Sequence, residues 1–289
     1  MARKYRKKPL KMFFRVLRLL FSQSNQTEGL VQKSYDRIST GYDETWTHHM
    51  RDLTEALIEQ MHIGPGQEAL DLTCGTGYAT SLLATRTNTT VIGVDASQGM
   101  LDQARINYAD CNFVADDILR YLRTLDDNSL DVITCCWGLG YCKPLKVLRE
   151  IRRVLKKGGK VGIIDNTIFS LREVMYSSML AFMEQPDKLE NLMKFKFLMG
   201  KRHIGLWYRR AGLKPTNLWA GEKSYVVGSG SEAIARLKAT GAAAGFEYAS
   251  KDQDSDEIYE RFGEILEQKY MYDGKLTITH RYLGGIAVK

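Results

Sequence analysis

The segment Glu68-Ala69-Leu70-Asp71-Leu72-Thr73-Cys74-Gly75-Thr76-Gly77-Tyr78-Ala79-Thr80 constrains the fold more than any other part of this sequence. A short apolar run breaks into a loop with glycines at 75 and 77, and helix-compatible residues fill 78–84. That order reads as strand, tight turn, helix. Small residues at the turn let a ligand approach the backbone, and the helix start offers unpaired N–H groups. A second apolar run, Thr90-Val91-Ile92-Gly93-Val94, ends in Asp95 about one helix later. An acid at the end of the second strand can hold two ribose hydroxyls. The unit therefore reads as a β-α-β built for an adenosine-containing cofactor.

Thr80 stands at the third position of a G-x-G-x-x-G pattern, so the dinucleotide fingerprint is incomplete. The segment resembles instead motif I of the class I S-adenosylmethionine (SAM) methyltransferases, Leu-Asp-x-Gly-x-Gly-x-Gly. Asp71, Gly75 and Gly77 match, and Thr73 replaces the first glycine. Further phrases follow in order. Residues 34–43, with Tyr35 and Tyr42, resemble the Tyr-Asp-x-x-Ala-x-x-Tyr-Asp segment of the methyltransferase type 11 or ubiquinone-menaquinone biosynthesis-like group. Asp95-Ala96-Ser97-Gln98-Gly99-Met100-Leu101 resembles its Asp-x-Ser-x-x-Met-Leu phrase, and Arg153 to Gly159 its Arg-Val-Leu-Lys-x-Gly-Gly turn. The resemblance covers residues 34–165.

It implies SAM as cofactor and S-adenosylhomocysteine as product. Cofactor contacts are implied at Tyr35, Tyr42, Asp71, Thr73, Gly75, Gly77, Asp95, Ala96, Met100 and Trp137, with Asp116, and Asp117 second, facing the adenine. Tyr35 and Tyr42 are read as lid aromatics or as packing residues, and Asp116-Asp117 as site or as solvated turn. Strand ends carry ligands in open α/β sheets, so Trp137 and Tyr141, just past the fourth strand, are expected beside the methyl group. Trp46 and the Met/Phe-rich stretch containing Met175 and Met179 are expected to meet substrate; plain helical core fits that stretch equally. A phenolic or carbon nucleophile needs a base working near pH 7. Asp43, His48 and His49 are the candidates, and a surface histidine pair is the alternative for the last two.

The implied fold is α/β: a Rossmann-like, seven-stranded, mostly parallel sheet with helices on both faces. Residues 1–23 form a basic amphipathic helix, 24–66 lid helices and 67–165 the cofactor-binding core. Residues 166–210 are a helical substrate cap insertion, and 211–289 the C-terminal part of the sheet. Ala211-Gly212-Leu213 and Ala244-Gly245-Phe246 compete as the phrase before the sixth strand.

Charge narrows the partners. The chain has 41 Lys/Arg against 34 acids, but eight of those cations and no acid lie in the first 21 residues. The rest is near neutral, which argues against nucleic acid as partner. The N-terminal apolar run is too short and charged to span a bilayer. It can lie in an anionic membrane surface, pack on the protein's own body, act as a targeting peptide or remain a disordered arm. The five cysteines lack paired zinc spacing, so no metal is expected and reduced thiols are read. The expected place is the cytoplasm, with peripheral contact at the inner face of a membrane. The expected function is in-line methyl transfer from SAM to a small, lipophilic acceptor of the quinone-precursor or aminolipid type. Two further readings stay open: methylation of a soluble metabolite or natural product, and a non-catalytic nucleotide-cofactor-binding module.

Overall fold

The strands at 69–72 and 130–136, in the middle of the sheet, are apolar because helices cover both of their faces, which leaves no side for alternation to expose. The computed structural model describes residues 6–22, 27–241 and 244–289. Arg3, Lys4 and residues 23–26 lie outside the described residues. In chain order the elements are α1 (Pro9–Ser22), α2 (Thr27–Ile38), α3 (His48–Gln60), β1 (Ala69–Leu72), α4 (Tyr78–Thr87), β2 (Ile92–Asp95), α5 (Gln98–Asn107) and β3 (Asn112–Ala115). Then come α6 (Ile118–Thr124), β4 (Leu130–Cys136), α7 (Pro144–Val154), β5 (Leu155–Asn166), α8 (Arg172–Glu184) and α9 (Lys201–Arg210). The chain closes with β6 (Lys214–Val227), α10 (Gly230–Ala239), α11 (Asp252–Tyr270), β7 (Met271–Tyr272) and β8 (Lys275–Val288).

The sheet order is β3-β2-β1-β4-β5-β8-β6, with β7 paired to β8. Strands β1 to β5 pair in parallel, and β8 runs antiparallel to β5. The direction of winding reverses between β1 and β4, the position where open α/β sheets bind ligands.

The chain divides into two compact units. One holds residues 35–169, 196–221 and 281–289. Leu70, Leu72, Ile133, Cys135, Val161 and Ile163 fill one face of its sheet with the helices α6, α7 and α9. Ala69, Val132, Cys136 and Ile164, of the other parity, pack with α3 and α4. This is the two-residue alternation of a strand, apolar on both sides. Helix α7 starts on Pro144 and buries Val147, Leu148, Ile151 and Val154 at three- and four-residue spacing. The phrase Ala211-Gly212-Leu213 leads into β6, which resolves the competition with residues 244–246.

The other unit gathers the residues up to Ser34 with 170–195 and 222–280. Its core is Leu171, Val174, Leu180, Tyr225, Leu237, Phe262, Ile265, Leu276 and Ile278. Arg261 donates to both oxygens of buried Glu184 at 2.7 and 3.1 Å, a forked pairing that joins α11 to α8. The expected boundaries fall differently here. Residues 196–210, assigned to a cap, belong to the first unit, and 222–280, assigned to the sheet, belong mostly to helices of the second. Between Leu189 and Gly200 the chain is irregular rather than helical. Apolar periodicity tells that a segment is buried, not against which body it is buried.

Candidate active site

The loop after β1 forms the floor of the site. Thr73 takes φ +56°, and Gly75 and Gly77 take +53° and +89°. The two glycines serve different ends. A side chain at Gly77 would collide with the rings of Phe113 and Tyr108 at 2.8 and 2.9 Å, whereas Gly75 faces open space. Gly77 is thus required by packing, and Gly75 leaves bare backbone for a ligand to approach. Thr73 adopts the left-handed conformation that the resemblance assigns to a glycine, and its hydroxyl donates to the Leu72 carbonyl at 2.5 Å. On the neighbouring strand end Trp137 also takes a positive φ, +63°, while its Nε1 donates to Thr54 Oγ1 at 3.0 Å. Left-handed conformations at β-branched and bulky residues are uncommon and cluster at functional sites.

Asp95 closes the floor. Its Oδ2 accepts from the Gly75 amide at 3.0 Å and its Oδ1 from the Ser97 amide at 2.9 Å. The β1 loop and the end of β2 are therefore one surface. Burial raises the Asp95 carboxyl above its ordinary range, against the pull of the backbone donors at Ser97, Gly75 and Ala96. A carboxylate has about four acceptor sites, so these backbone donors do not exhaust it. Asp71 lies beneath this surface. Fully buried, it accepts from Thr80 Oγ1 at 2.8 Å and Thr134 Oγ1 at 2.7 Å. It ties β1 to α4 and β4, and so positions the loop above it. Burial pushes its carboxyl up to about 6.

Two acids anchor the segment before β1. Asp36 Oδ1 accepts from Ser97 Oγ at 2.6 Å and from the Gly99 amide at 3.0 Å, which fixes the end of α2 to the start of α5. Asp43 opens a single π-helical turn over Asp43–Thr47. Its Oδ1 accepts from Thr76 and Thr47 at 2.5 and 2.6 Å, and its Oδ2 from Asn107 Nδ2 at 2.8 Å. These bonds strap the lid segment to the glycine loop and to α5, a positioning role that the reading of Asp43 as a candidate base did not foresee. Asp36→Ala is expected to remove about 1–2 kcal/mol from this junction. Hydrogen exchange at the Gly99 amide, faster by at least tenfold, measures it.

Aromatic rings form the wall. Edge-to-face or tilted contacts run from Phe197 through Tyr141, Tyr35, Tyr42, Trp46 and Trp137 to Tyr282, with centroids 5.3–6.4 Å apart. Such pairs contribute about 0.5–1.5 kcal/mol each beyond area burial. Tyr35 donates to Tyr141 across 3.2 Å between hydroxyls. Burial pushes the phenols of Tyr35 and Tyr42 well above their usual range, and that of Tyr141 to about 12, so all three are neutral hydroxyls at pH 7.

Among the remaining expected residues, Asp116 sits at the end of β3, its amide donating to the Asp95 carbonyl at 3.0 Å and its carboxylate paired with Arg120. Asp117 instead caps α6, accepting from the Arg120 amide at 2.8 Å. Met100 is buried under α5, and Ala96 is exposed beside Asp95. His48 is exposed and His49 half-buried at the start of α3. Met175 and Met179 are exposed on α8, in the other unit, where Met175 lines an apolar recess with Leu171, Phe182 and Phe262. Sequence reasoning missed Asp36 as an anchor, Phe197 and Tyr282 as wall residues, and Asp165. The last, buried at the end of β5, accepts from the Gly140 and Asn166 amides, each at 2.7 Å. Burial pushes it up to about 7.

Residues 69–159 match a family model described as a methyltransferase domain. The strand order and the glycine loop accord with this match, and the chain carries a methyltransferase domain in the class I, Rossmann-like fold. The chain is 32% identical over 150 residues to the demethylmenaquinone methyltransferase of Symbiobacterium thermophilum, covering 47% of this chain and 58% of that one. It spans 48–61% of the length of the demethylmenaquinone methyltransferases that it matches at 31% identity or more. Two solved structures share the fold. The YcgJ protein of Bacillus subtilis superposes with a TM-score of 0.54 at 14% identity, over 82% of this chain and 97% of that one. The Haemonchus contortus phosphoethanolamine N-methyltransferase 2, in complex with phosphomonomethylethanolamine and S-adenosylhomocysteine, does so at 0.54 and 18%, over 88% and 58%.

Proposed function

We propose that this protein transfers a methyl group from SAM to a small, lipophilic acceptor of the quinone-precursor or aminolipid type. The observation that carries the cofactor half is the bond between the Gly75 amide and Asp95 beside open space at the strand switch point. Bound there, SAM supplies an electrophilic methyl on a sulfonium. Asp95 would hold the ribose hydroxyls, the backbone at Thr73 and Gly75 would receive the amino-acid end, and Asp116 would border the adenine. Tyr35 and Tyr42, held down through Asp36 and Asp43, exclude water from the reacting atoms. Transfer would neutralise the donor's charge, so what this chain's residues would contribute is positioning and desolvation. The nucleophile's proton would pass to solvent.

The apolar wall favours an acceptor with an aromatic or hydrocarbon body, and the likeness to demethylmenaquinone methyltransferases supports the quinone type. Titration calorimetry of the full chain with SAM, S-adenosylhomocysteine and NAD tests the cofactor. Binding of the first two is expected; tighter binding of NAD overturns the reading. Methyl transfer from radiolabelled SAM is then measured with demethylmenaquinone, phosphatidylethanolamine and a water-soluble catechol. Faster transfer to the catechol overturns the lipophilic acceptor, and SAM binding with no transfer to any of them leaves a non-catalytic module.

A further inference from the structure

Helix α1 has two apolar faces, and among the described residues only one of them is covered. Met12, Val16 and Leu19 pack into a cluster with Phe182, Leu189, Ala249 and Ile258 of the same unit. Polar ties reinforce that seat: Lys11 pairs with Asp187 at 2.5 Å and Arg15 with Glu190 at 3.2 Å, and Arg15 Nε donates to the Leu189 carbonyl at 2.7 Å. The Lys8 amide also donates to the Met183 carbonyl at 2.9 Å. The helix is therefore a fixed part of this unit.

The opposite face carries Leu10, Phe13, Phe14, Leu17, Leu20 and Phe21, which are 69%, 60%, 59%, 38%, 50% and 86% exposed. Steps of three and four place them in one stripe along the helix. Six large apolar side chains in a row are far more than the scattered surface hydrophobics of ordinary proteins. Beside them Arg6, Lys7, Lys8 and Arg18 are exposed, and the helix contains no acid. Its 14 residues extend about 21 Å, short of the roughly 20 residues needed to cross a bilayer.

We propose that this stripe is a docking surface for an anionic membrane, with α1 lying in the plane of the headgroups. The aromatic and leucine side chains enter the acyl boundary while the flanking cations meet lipid phosphates. Charge complementarity selects this occupant: a second copy of the chain would bring the same cations against one another. The inference goes beyond methyl transfer and stands on one unit alone.

Flotation of the full chain with vesicles of phosphatidylcholine, with and without phosphatidylglycerol, tests it. Binding is expected only to the anionic vesicles. It should weaken at high salt, and fall at least tenfold in Phe13→Ser/Phe14→Ser/Phe21→Ser and in Arg6→Gln/Lys7→Gln/Arg18→Gln. These positions are exposed, so both variants should keep the wild-type circular dichroism. Equal flotation of wild type and variants, or none by either, overturns the proposal. So does a wild type that self-associates without binding vesicles while the phenylalanine variant stays monomeric, since the stripe then covers a second copy.

Discussion

Asp95→Ala is expected to weaken SAM binding about 100-fold. In the proposed complex the carboxylate would accept from two ribose hydroxyls, and hydrogen bonds to a charged group contribute about 1.5–3 kcal/mol each. Losing both, with water partly replacing them, removes about 3 kcal/mol, or two decades of affinity. Asp95 also holds the Gly75 and Ser97 amides, so loosening of the loop must be separated from loss of the contact. Ser97→Ala releases the tie to Asp36 and the cap of α5 but leaves the carboxylate in place. Calorimetry should find it within tenfold of wild type, and Asp95→Asn between the two. Equal losses in Asp95→Ala and Ser97→Ala would mean that the carboxylate acts only on the loop.

The second large effect is in stability against pH, and Asp165 dominates it. In the unfolded chain this carboxyl titrates near its ordinary value of about 4. In the folded protein burial raises it to about 7. Below about pH 4 both states hold the proton, and the contribution is fully favourable. From there to about pH 7 the unfolded chain has released a proton that the folded protein keeps, so stability falls as pH rises, then levels off. The total is on the order of 4 kcal/mol. Asp71, raised to about 6, acts in the same direction over a narrower window. Urea unfolding of wild type and Asp165→Asn from pH 4.5 to 8 should give profiles that converge or cross, the variant gaining relative to wild type as pH rises. Parallel profiles would place the Asp165 titration at the same pH in both states.

Several parts of this site were legible because they are local. A strand, two glycines and a helix within a dozen residues leave few foldings, and Asp95 sits where a β-α-β unit puts the acid. The roles of other acids depend on partners that no local pattern announces. Asp43 looked available as a base because its three donors, Thr47, Thr76 and Asn107, come from separate parts of the chain. Asp165 follows an apolar run, and nothing near it in sequence announces that it is buried with the Gly140 amide as its donor. Phe197 disappeared into a stretch read as helix, which is irregular and carries its ring to Tyr141. In α1, packing and membrane contact were weighed as rivals, because a helix apolar around most of its circumference gives one composition for two faces. The structure describes the seat and leaves the second face exposed, so the two readings no longer compete.

The row of rings beside the glycine loop has an optical consequence. Trp46 and Trp137, two of the four indoles in the chain, meet edge to face at 5.7 Å, with tyrosines next to both. Ultraviolet excitation of those phenols passes readily to the indole pair. A ligand that enters beside them is expected to change the yield of that emission, which would let occupancy of the site be followed in unlabelled protein.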